Sequence, residues 1–257
     1  MKISVCCPSY KRPKVKTLDY LPFCKVYVDC DEYEEYKKQN SGFEKNIISV
    51  PKGIQGNLCR IRNYILKEEL KENDVCLIID DDLKGIYYFE NSKEHKLETD
   101  AVLLFIEKYS IMATEIGAKF WGINCNADKQ CYKAYTPFST ISYIGGPFQC
   151  FLKGNELYYD ERLPLKEDYD MTLQQLNKYR IALRVNKYHY KCEQSTNVGG
   201  CATYRNLEKE KEQLRLLQKK WGSGIVRIDD TDRSHKCKKN KSTIDYNPVI
   251  RVPIKGV

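Results

Sequence analysis

Short apolar runs alternate along the first half of the chain with segments whose apolar residues recur at helical spacing. The runs are rich in β-branched residues, and Pro8 and Pro51 stop two of them, as is typical of buried strands. Helical spacing runs from Asn57 to about residue 72, and a fuller stripe follows Asp100 and ends at Gly117. This alternation predicts an α/β fold with a mainly parallel sheet flanked by helices. The predicted strands cover residues 3–7, 25–28, 46–50 and 74–79.

The second half of the chain mixes strand and helix patterns. A stretch of aromatic and β-branched residues with turn breaks indicates antiparallel strands. Later, an asparagine that can cap a helix start and a glycine that can end one enclose an amphipathic segment. The predicted elements are antiparallel strands within residues 120–152, a helix after 167–170, a strand over 181–192 and a helix from 206 to 222.

The composition of the 257 residues, 42% hydrophobic and 30% charged, is that of a chain that builds a buried core. No apolar run reaches the roughly 18 residues of a membrane helix, and the first apolar run is too short for a signal peptide. We therefore expect a cytoplasmic protein. Its twelve cysteines include no CxxC pair, which favours reduced thiols over a zinc site. The cysteines expected to be buried are Cys6, Cys7, Cys76 and Cys125.

The net charge of +8 is concentrated near the C-terminus. Residues 201–257 contain 14 Lys and Arg against 7 Asp and Glu, whereas the first 200 residues contain 29 against 28. Such a segment favours a polyanionic partner such as nucleic acid, and a solvated tail that keeps the protein soluble is an equal alternative. We expect one domain over residues 1–222, with a basic segment over 223–257 that packs on it or extends it.

Three consecutive aspartates, Asp80, Asp81 and Asp82, follow the predicted strand at 74–79. In parallel sheets the carboxyl ends of strands face the ligand crevice. Alternation along an extended chain directs Asp80 and Asp82 to the same side, where they can bind Mg²⁺ or Mn²⁺ together with substrate phosphates. The alternative is a solvated acidic turn.

Two further segments carry candidate chemistry. Glu167, Asp168 and Asp170 crowd a helix start, where acids are common because the helix dipole favours them; one of them can also act as a general base. The loop at residues 53–57 contains two glycines and opens a helix that carries Arg60 and Arg62, which suits a phosphate. It matches neither the dinucleotide fingerprint nor the P-loop, so this signal is weak.

Taken in order, these motifs resemble the GT-A fold of nucleotide-sugar glycosyltransferases over about residues 1–200. Within that fold the chain looks most like the phage DNA-base glycosyltransferases related to the base J glucosyltransferase, on the E-D-Y-D run at 167–170 and the S-T-N-V-G-G segment at 195–200. The GT-A motifs are matched by residues 8–12 (P-S-Y-K-R), 28–31 (V-D-C-D), 56–63 (G-N-L-C-R-I-R-N), 80–82 (D-D-D) and 167–168 (E-D).

The resemblance implies a metal-dependent, inverting transfer of a sugar, with UDP-glucose as the expected donor. The expected acceptor is a hydroxyl on a modified pyrimidine in DNA, such as 5-hydroxymethyluracil. A GT-A enzyme that acts on a polysaccharide, glycolipid or protein remains an alternative. So do a nucleotidyltransferase and a non-catalytic nucleic-acid-binding protein.

The resemblance also implies roles for individual residues. Asp168 is the expected general base, with Glu167 and Asp170 as substitutes. Asp80 and Asp82 are the expected ligands of Mn²⁺ or Mg²⁺, with His189 as a candidate third ligand. The expected donor-binding residues are Pro8, Tyr10, Arg12, Asp29, Gly56, Asn57, Arg60 and Asp81, and the expected DNA-binding residues are Arg227, Arg233, Lys236, Lys238 and Lys239.

Overall fold

One mixed sheet runs through the protein, and its order places the predicted acidic segment near the middle. The computed structural model describes residues 1–91, 93–129, 132–193, 199–228 and 247–252. The strands of the large sheet are β1 (Ile3–Pro8), β2 (Lys25–Asp29), β3 (Ile47–Val50), β4 (Val75–Ile79), β5 (Leu83–Glu90), β6 (Lys93–Lys96), β7 (Phe120–Asn124), β8 (Phe138–Ser139), β9 (Phe148–Leu152) and β10 (Leu183–Cys192). Their order is β3-β2-β1-β4-β9-β7-β10-β5-β6, and β8 pairs with β10.

The sheet is parallel where the strand–helix alternation predicted it. Strands β3, β2, β1 and β4 pair in parallel, so their carboxyl ends meet at one edge. Strand β9 runs antiparallel to both β4 and β7, as the aromatic stretch predicted. Strand β10 is parallel to β7 and antiparallel to β5, and its last residue, Cys192, pairs with Leu83 directly after the three aspartates. The sheet thus brings the ends of β1, β4 and β10 to one region.

Helices cover both faces of the sheet. One apolar layer contains Leu18, Tyr36 and Phe105, and the other contains Ile61 and Met171. Each layer buries residues from the sheet against helices, as expected for alternating strands and helices. The helices are α1 (Thr17–Tyr20), α2 (Tyr33–Gln39), α3 (Leu58–Glu72), α4 (Val102–Glu115), α5 (Glu167–Tyr179) and α6 (Leu207–Trp221).

Side-chain caps determine where two of the predicted helices begin. The Asn57 side chain accepts hydrogen bonds from the backbone N–H groups of Cys59 and Arg60 at the start of α3. The Asn206 side chain accepts one from Lys209 N at the start of α6, as predicted. Each cap satisfies N–H groups that have no partner within the helix.

Some expectations from the pattern are wrong. Cys125 is exposed, because it follows the end of β7 instead of lying within it. The β5–β6 hairpin and the short helices α1 and α2 were not anticipated. Charged residues alternate irregularly through them, so they lack a clear period of either kind.

The basic C-terminal segment begins with residues that pack on the rest of the chain. Strand β11 (Val226–Ile228) pairs antiparallel with β12 (Pro248–Ile250). Val226 is buried with Leu173 of α5 and with Leu214 and Leu217 of α6. Among the described residues, no helix is long and apolar enough to cross a membrane.

Candidate active site

A cleft of about 750 Å³ opens at the carboxyl edge of the parallel strands. The turn after β1, the start of α3, the end of β4 and the start of α5 form its walls, and the chain after β10 contributes further residues. The lining therefore draws together segments far apart in sequence, as is usual for ligand sites of α/β sheets. The lining segments include residues 8–10, 55–58, 80–82, 146–147, 167–168, 192–193, 200–202 and 204–206.

The three aspartates divide into two roles. The Asp81 carboxylate is buried; it accepts a hydrogen bond from Ser9 Oγ at 2.5 Å and pairs with Arg12 Nη1 at 2.5 Å. Carboxylate oxygens of Asp80 and Asp82 lie within 4.8 Å of each other and of Cys192 Sγ. The predicted Asp80–Asp82 pairing is therefore present, and Asp81 anchors the turn.

Two guanidinium groups hold the carboxylates in place. Arg62, whose side chain is 1% exposed, pairs with Asp80 at 3.0 Å and with Glu167 at 3.3 Å. Arg12 reaches Asp82 at 3.4 Å as well as Asp81. Buried charges of opposite sign at these distances stabilise each other when further hydrogen bonds complete the geometry. Arg62 thus connects the end of β4 to the start of α5.

Arg60, which the motif favoured as a donor-binding residue, lies outside this network. Its side chain is on the surface, where Nε pairs with Glu161 at 3.1 Å and Nη1 donates to Gly53 O at 2.7 Å. Two positions separate Arg60 from Arg62 on α3, so the two side chains point in different directions around the helix. The structure therefore assigns the inward position to Arg62.

Three hydrogen-bond donors hold the Asp168 carboxylate in the first turn of α5. Its Oδ2 accepts hydrogen bonds from the Tyr143 hydroxyl and from Gly146 N, the latter at 3.2 Å, and its Oδ1 accepts from Tyr169 N at 2.8 Å. The Tyr143 and Tyr169 rings stack with centroids 4.3 Å apart. These contacts fix the carboxylate orientation toward the cleft, which Asp168 lines.

Asp170, the substitute base, has a structural environment. It is fully buried, accepts a hydrogen bond from Trp221 Nε1 at 2.8 Å and pairs with Lys220 at 2.9 Å. Both partners belong to the last turn of α6, so Asp170 ties α5 to α6. It is not among the described residues that line the cleft.

The cleft carries more negative charge than its three lining arginines, Arg12, Arg62 and Arg205, offset. Burial, and then the neighbouring Asp168, raises the pKa of Glu167 to about 8, against the opposing effect of Arg62. Burial, and then Asp80 and Asp81, raises the pKa of Asp82 to about 7. Each carboxylate therefore resists ionisation in the absence of a further cation. Two close carboxylates whose negative charge the arginines only partly offset fit a divalent cation, for which oxygen ligands are the usual donors.

The raised pKa of Glu167 predicts how stability depends on pH in the metal-free protein. Between the ordinary pKa of a glutamate and about 8, the folded state keeps a proton that the unfolded state releases. The free energy of unfolding should therefore fall as pH rises, by up to about 1.4 kcal/mol per pH unit for this group. Glu167→Gln should remove that part of the slope, as measured by urea unfolding from about pH 5 to about pH 8 in the presence of a chelator.

Other residues predicted for the site are partly brought together. Pro8, Tyr10, Gly56 and Asn57 line the cleft. Asp29 is not among the described lining residues; its carboxylate accepts a hydrogen bond from Asp31 N at 2.9 Å at the end of β2. Apart from Asp81, seven residues were expected to bind the donor. Four of them line the cleft without forming ion pairs there, and a fifth, Arg12, pairs with Asp81 and Asp82.

His189 does not join the aspartates. Its ring is 1% exposed and lies 3.0 Å from Glu94 Oε1 through Nε2. It stacks on Phe89 at 5.0 Å and on Tyr87 at 5.9 Å between centroids. Three positions further along the same strand, Cys192 Sγ lies within 4.8 Å of carboxylate oxygens of Asp80 and Asp82.

The DNA-binding residues expected in the tail can be placed only in part. Arg227 is exposed on β11, where its Nε donates to Gly224 O at 3.2 Å, and it is not among the described residues of the cleft. The other expected residues, Arg233, Lys236, Lys238 and Lys239, lie outside the described residues.

The segment after β10 contributes lining residues to which the sequence analysis gave no role in the site. Residues 194–198 lie outside the described part, and Gly199 lies against the turn after β1. Gly200 N donates to Tyr10 O at 2.8 Å, and Gly199 has φ +110° with its Cα so close that a Cβ would lie 2.5 Å from Lys11 O. Any side chain at position 199 would therefore push this segment off the cleft. Cys201, Tyr204 and Arg205 follow and line it.

Comparison with solved structures shows the fold. Over 97% of this chain and 87% of the other, the protein is similar to glucosyl-3-phosphoglycerate synthase from Mycobacterium tuberculosis, solved with Mg²⁺ and uridine diphosphate, at 10% identity and a TM-score of 0.50. A mannosyltransferase from Pyrobaculum calidifontis, solved with GDP-Man and Mn²⁺, matches 70% of this chain and 53% of its own at 12% identity and a TM-score of 0.43. No protein-family model and no curated protein matches the sequence. The protein has the predicted fold, a mixed and mainly parallel GT-A sheet flanked by helices in a single domain.

Proposed function

We propose that the protein is a metal-dependent glycosyltransferase that uses a UDP-sugar, with glucose as the expected sugar. The observation that carries the proposal is the cleft in which Asp80 and Asp82 face Asp168 and Glu167 across Arg62. Sugar transfer needs carboxylates that hold a cation at the donor and a carboxylate that takes a proton from the acceptor, and both must lie in one cleft. The fold supports the donor assignment, because glucosyl-3-phosphoglycerate synthase was solved with Mg²⁺ and uridine diphosphate.

The donor would bind along the carboxyl edge of the parallel strands. Asp80 and Asp82 would hold Mn²⁺ or Mg²⁺, which when bound neutralises the charge that develops on a departing diphosphate. Tyr10 offers a ring to the nucleotide, and Gly56 and Asn57 bring the start of α3 to the same side. The positive end of a helix dipole at that place favours phosphate oxygens.

The transfer step follows from the position of Asp168. Its carboxylate takes the proton from an acceptor hydroxyl, whose oxygen forms a bond to the anomeric carbon. The bond from that carbon to the diphosphate breaks at the same time, so the configuration inverts and UDP leaves. The three hydrogen bonds to Asp168 orient its oxygens for this role.

For the acceptor we propose a hydroxyl on a modified pyrimidine of DNA, such as 5-hydroxymethyluracil. The support is the charge of the chain, which is nearly neutral over its first 200 residues and strongly basic over the remainder. A concentrated basic segment suits a polyanion. In a duplex the modified base would need to leave the helix stack to present its hydroxyl.

The donor assignment is tested by the thermal unfolding midpoint. Uridine diphosphate with Mn²⁺ should raise the midpoint by several degrees, and either component alone should raise it much less, because each completes the binding site of the other. Asp82→Asn should abolish the combined effect. A response to nucleoside triphosphates but not to uridine diphosphate would instead identify a nucleotidyltransferase, and no response to any nucleotide would leave a non-catalytic protein.

The acceptor assignment needs a direct product analysis. Labelled UDP-glucose should be supplied with 5-hydroxymethyluracil DNA, 5-hydroxymethylcytosine DNA and unmodified DNA, and the released nucleosides analysed by mass. Label on a modified base alone would support the proposal, with DNA affinity that falls steeply between about 50 and about 200 mM salt. Hydrolysis of the donor without label in DNA, together with salt-independent DNA affinity, would favour a polysaccharide, glycolipid or protein acceptor.

A further inference from the structure

Cys192 lies beside the two aspartates proposed as cation ligands. Its Sγ and one carboxylate oxygen from each of Asp80 and Asp82 are all within 4.8 Å of one another. The two aspartates lie in the turn between β4 and β5 and Cys192 is the last residue of β10, so their approach is a product of the sheet and not of adjacent sequence. Ligands of one small cation need this kind of convergence.

The backbone fixes the thiol at this place. The register between β10 and β5 shifts between Lys191 and Cys192, and Cys192 then pairs with Leu83, the residue after Asp82. Glu193 N donates to Asp82 O at 3.1 Å, which ties the following residue to the same turn. The bulge thus re-aims a single side chain, a frequent device next to functional sites.

A second feature of the cleft indicates that it is built for a ligand. Arg62, which is 1% exposed, directs its guanidinium at Asp80, and its Nε has no hydrogen-bond partner among the described residues. The Arg12 guanidinium likewise pairs with Asp82, and its Nε is buried without a hydrogen-bond partner among the described residues. Buried donors of this kind are costly unless a ligand or water satisfies them.

We propose that Cys192 supplies a thiolate ligand to the cation held by Asp80 and Asp82, so that the site selects Mn²⁺ and Co²⁺ over Mg²⁺. This inference rests on the proposed function, because it assumes the cation site of that function. On binding, the S–H bond breaks, a sulfur–metal bond forms and the proton passes to solvent. Thiolates are soft ligands, and they favour transition-metal ions over Mg²⁺, which requires hard oxygen ligands.

Cobalt absorption tests the sulfur–metal bond directly. With uridine diphosphate present, Co²⁺ added to the intact protein should produce a near-ultraviolet sulfur-to-cobalt charge-transfer band that Cys192→Ser lacks. Cys30→Ser is the matched control, because Cys30 also lies between two aspartates, Asp29 and Asp31, but on the surface at the end of β2. That control variant should keep the band.

Metal preference provides the second readout. Titration calorimetry with uridine diphosphate should show that Mn²⁺ binds at least roughly 10-fold more tightly than Mg²⁺, and Cys192→Ser should bring the two affinities closer together. Unfolding of the metal-free variant at an unchanged midpoint shows that its fold is intact. Co²⁺ binding without the band, and with the same Mn²⁺ preference in both proteins, overturns the role of Cys192 and leaves the proposed function standing. Failure of every cation to bind with uridine diphosphate overturns both.

Discussion

Asp168→Asn is expected to lower the turnover number by about 10²- to 10⁴-fold, the usual contribution of a positioned general base. The amide is nearly the same size as the carboxylate and can still accept hydrogen bonds from Tyr143 and Gly146, so the cleft should keep its shape. It cannot take the proton of an acceptor hydroxyl. The measurement is single-turnover transfer from labelled UDP-glucose, together with the affinity for uridine diphosphate and Mn²⁺, which should change little.

The neighbouring acids supply the comparison for this variant. Asp170→Asn should lower stability more than turnover, because Asp170 is buried between Trp221 and Lys220. Full turnover in Asp168→Asn would refute its role as the base. Glu167 would then become the candidate, since it lines the same cleft and Asp170 is not among the described residues that do.

Arg62→Met is expected to lower the free energy of unfolding by about 3 kcal/mol, toward the lower end of the cost of removing one partner from a buried ion pair. The substitution leaves the carboxylates of Asp80 and Glu167 without their cation. Glu167, whose pKa is raised to about 8, is already largely protonated near pH 7 and therefore contributes little to the cost. Asp80 bears the remainder. Urea unfolding of the metal-free protein near pH 7 measures the change.

Arg60→Met is the matched control, two positions earlier on α3. Its ion pair with Glu161 is on the surface, and such pairs contribute about 1 kcal/mol or less. Losses of equal size in the two variants would show that the helix, and not the buried network, is responsible. A donor-binding defect confined to Arg60→Met would restore the motif-based assignment of that residue.

Most of the elements that form the sheet could be predicted from the sequence, because buried strands and amphipathic helices each impose a period on the chain. Residues 75–79 are apolar without interruption, and they form the central strand β4 with every residue buried. The stripe after Asp100 formed α4, the helical spacing from Asn57 formed α3, and Asn206 caps α6 as predicted. The β5–β6 hairpin carries no such period, and its position at the sheet edge follows only from pairing with β10.

The residues of the candidate site could be predicted where the reactive side chains are neighbours in the sequence. The aspartates at the end of β4 and Asp168 at the start of α5 could be identified from the sequence, because several acidic residues are adjacent there and their carboxylates repel one another. The inward choice between Arg60 and Arg62 depends on which side of α3 faces β4, which a motif does not specify. The place given to Cys192 instead of His189 depends on a register shift in β10.

The sequence by itself therefore determined most of the strand and helix order, the mainly parallel sheet and the acidic residues that such a sheet delivers to its carboxyl edge. It did so because periodicity and consecutive charges are local properties of the chain. The tertiary structure decided which arginine neutralises those acids, which acid ties α5 to α6, and which side chain stands third beside Asp80 and Asp82. Those choices depend on long-range pairing, because the segments that meet in the cleft are separated by up to about two hundred residues.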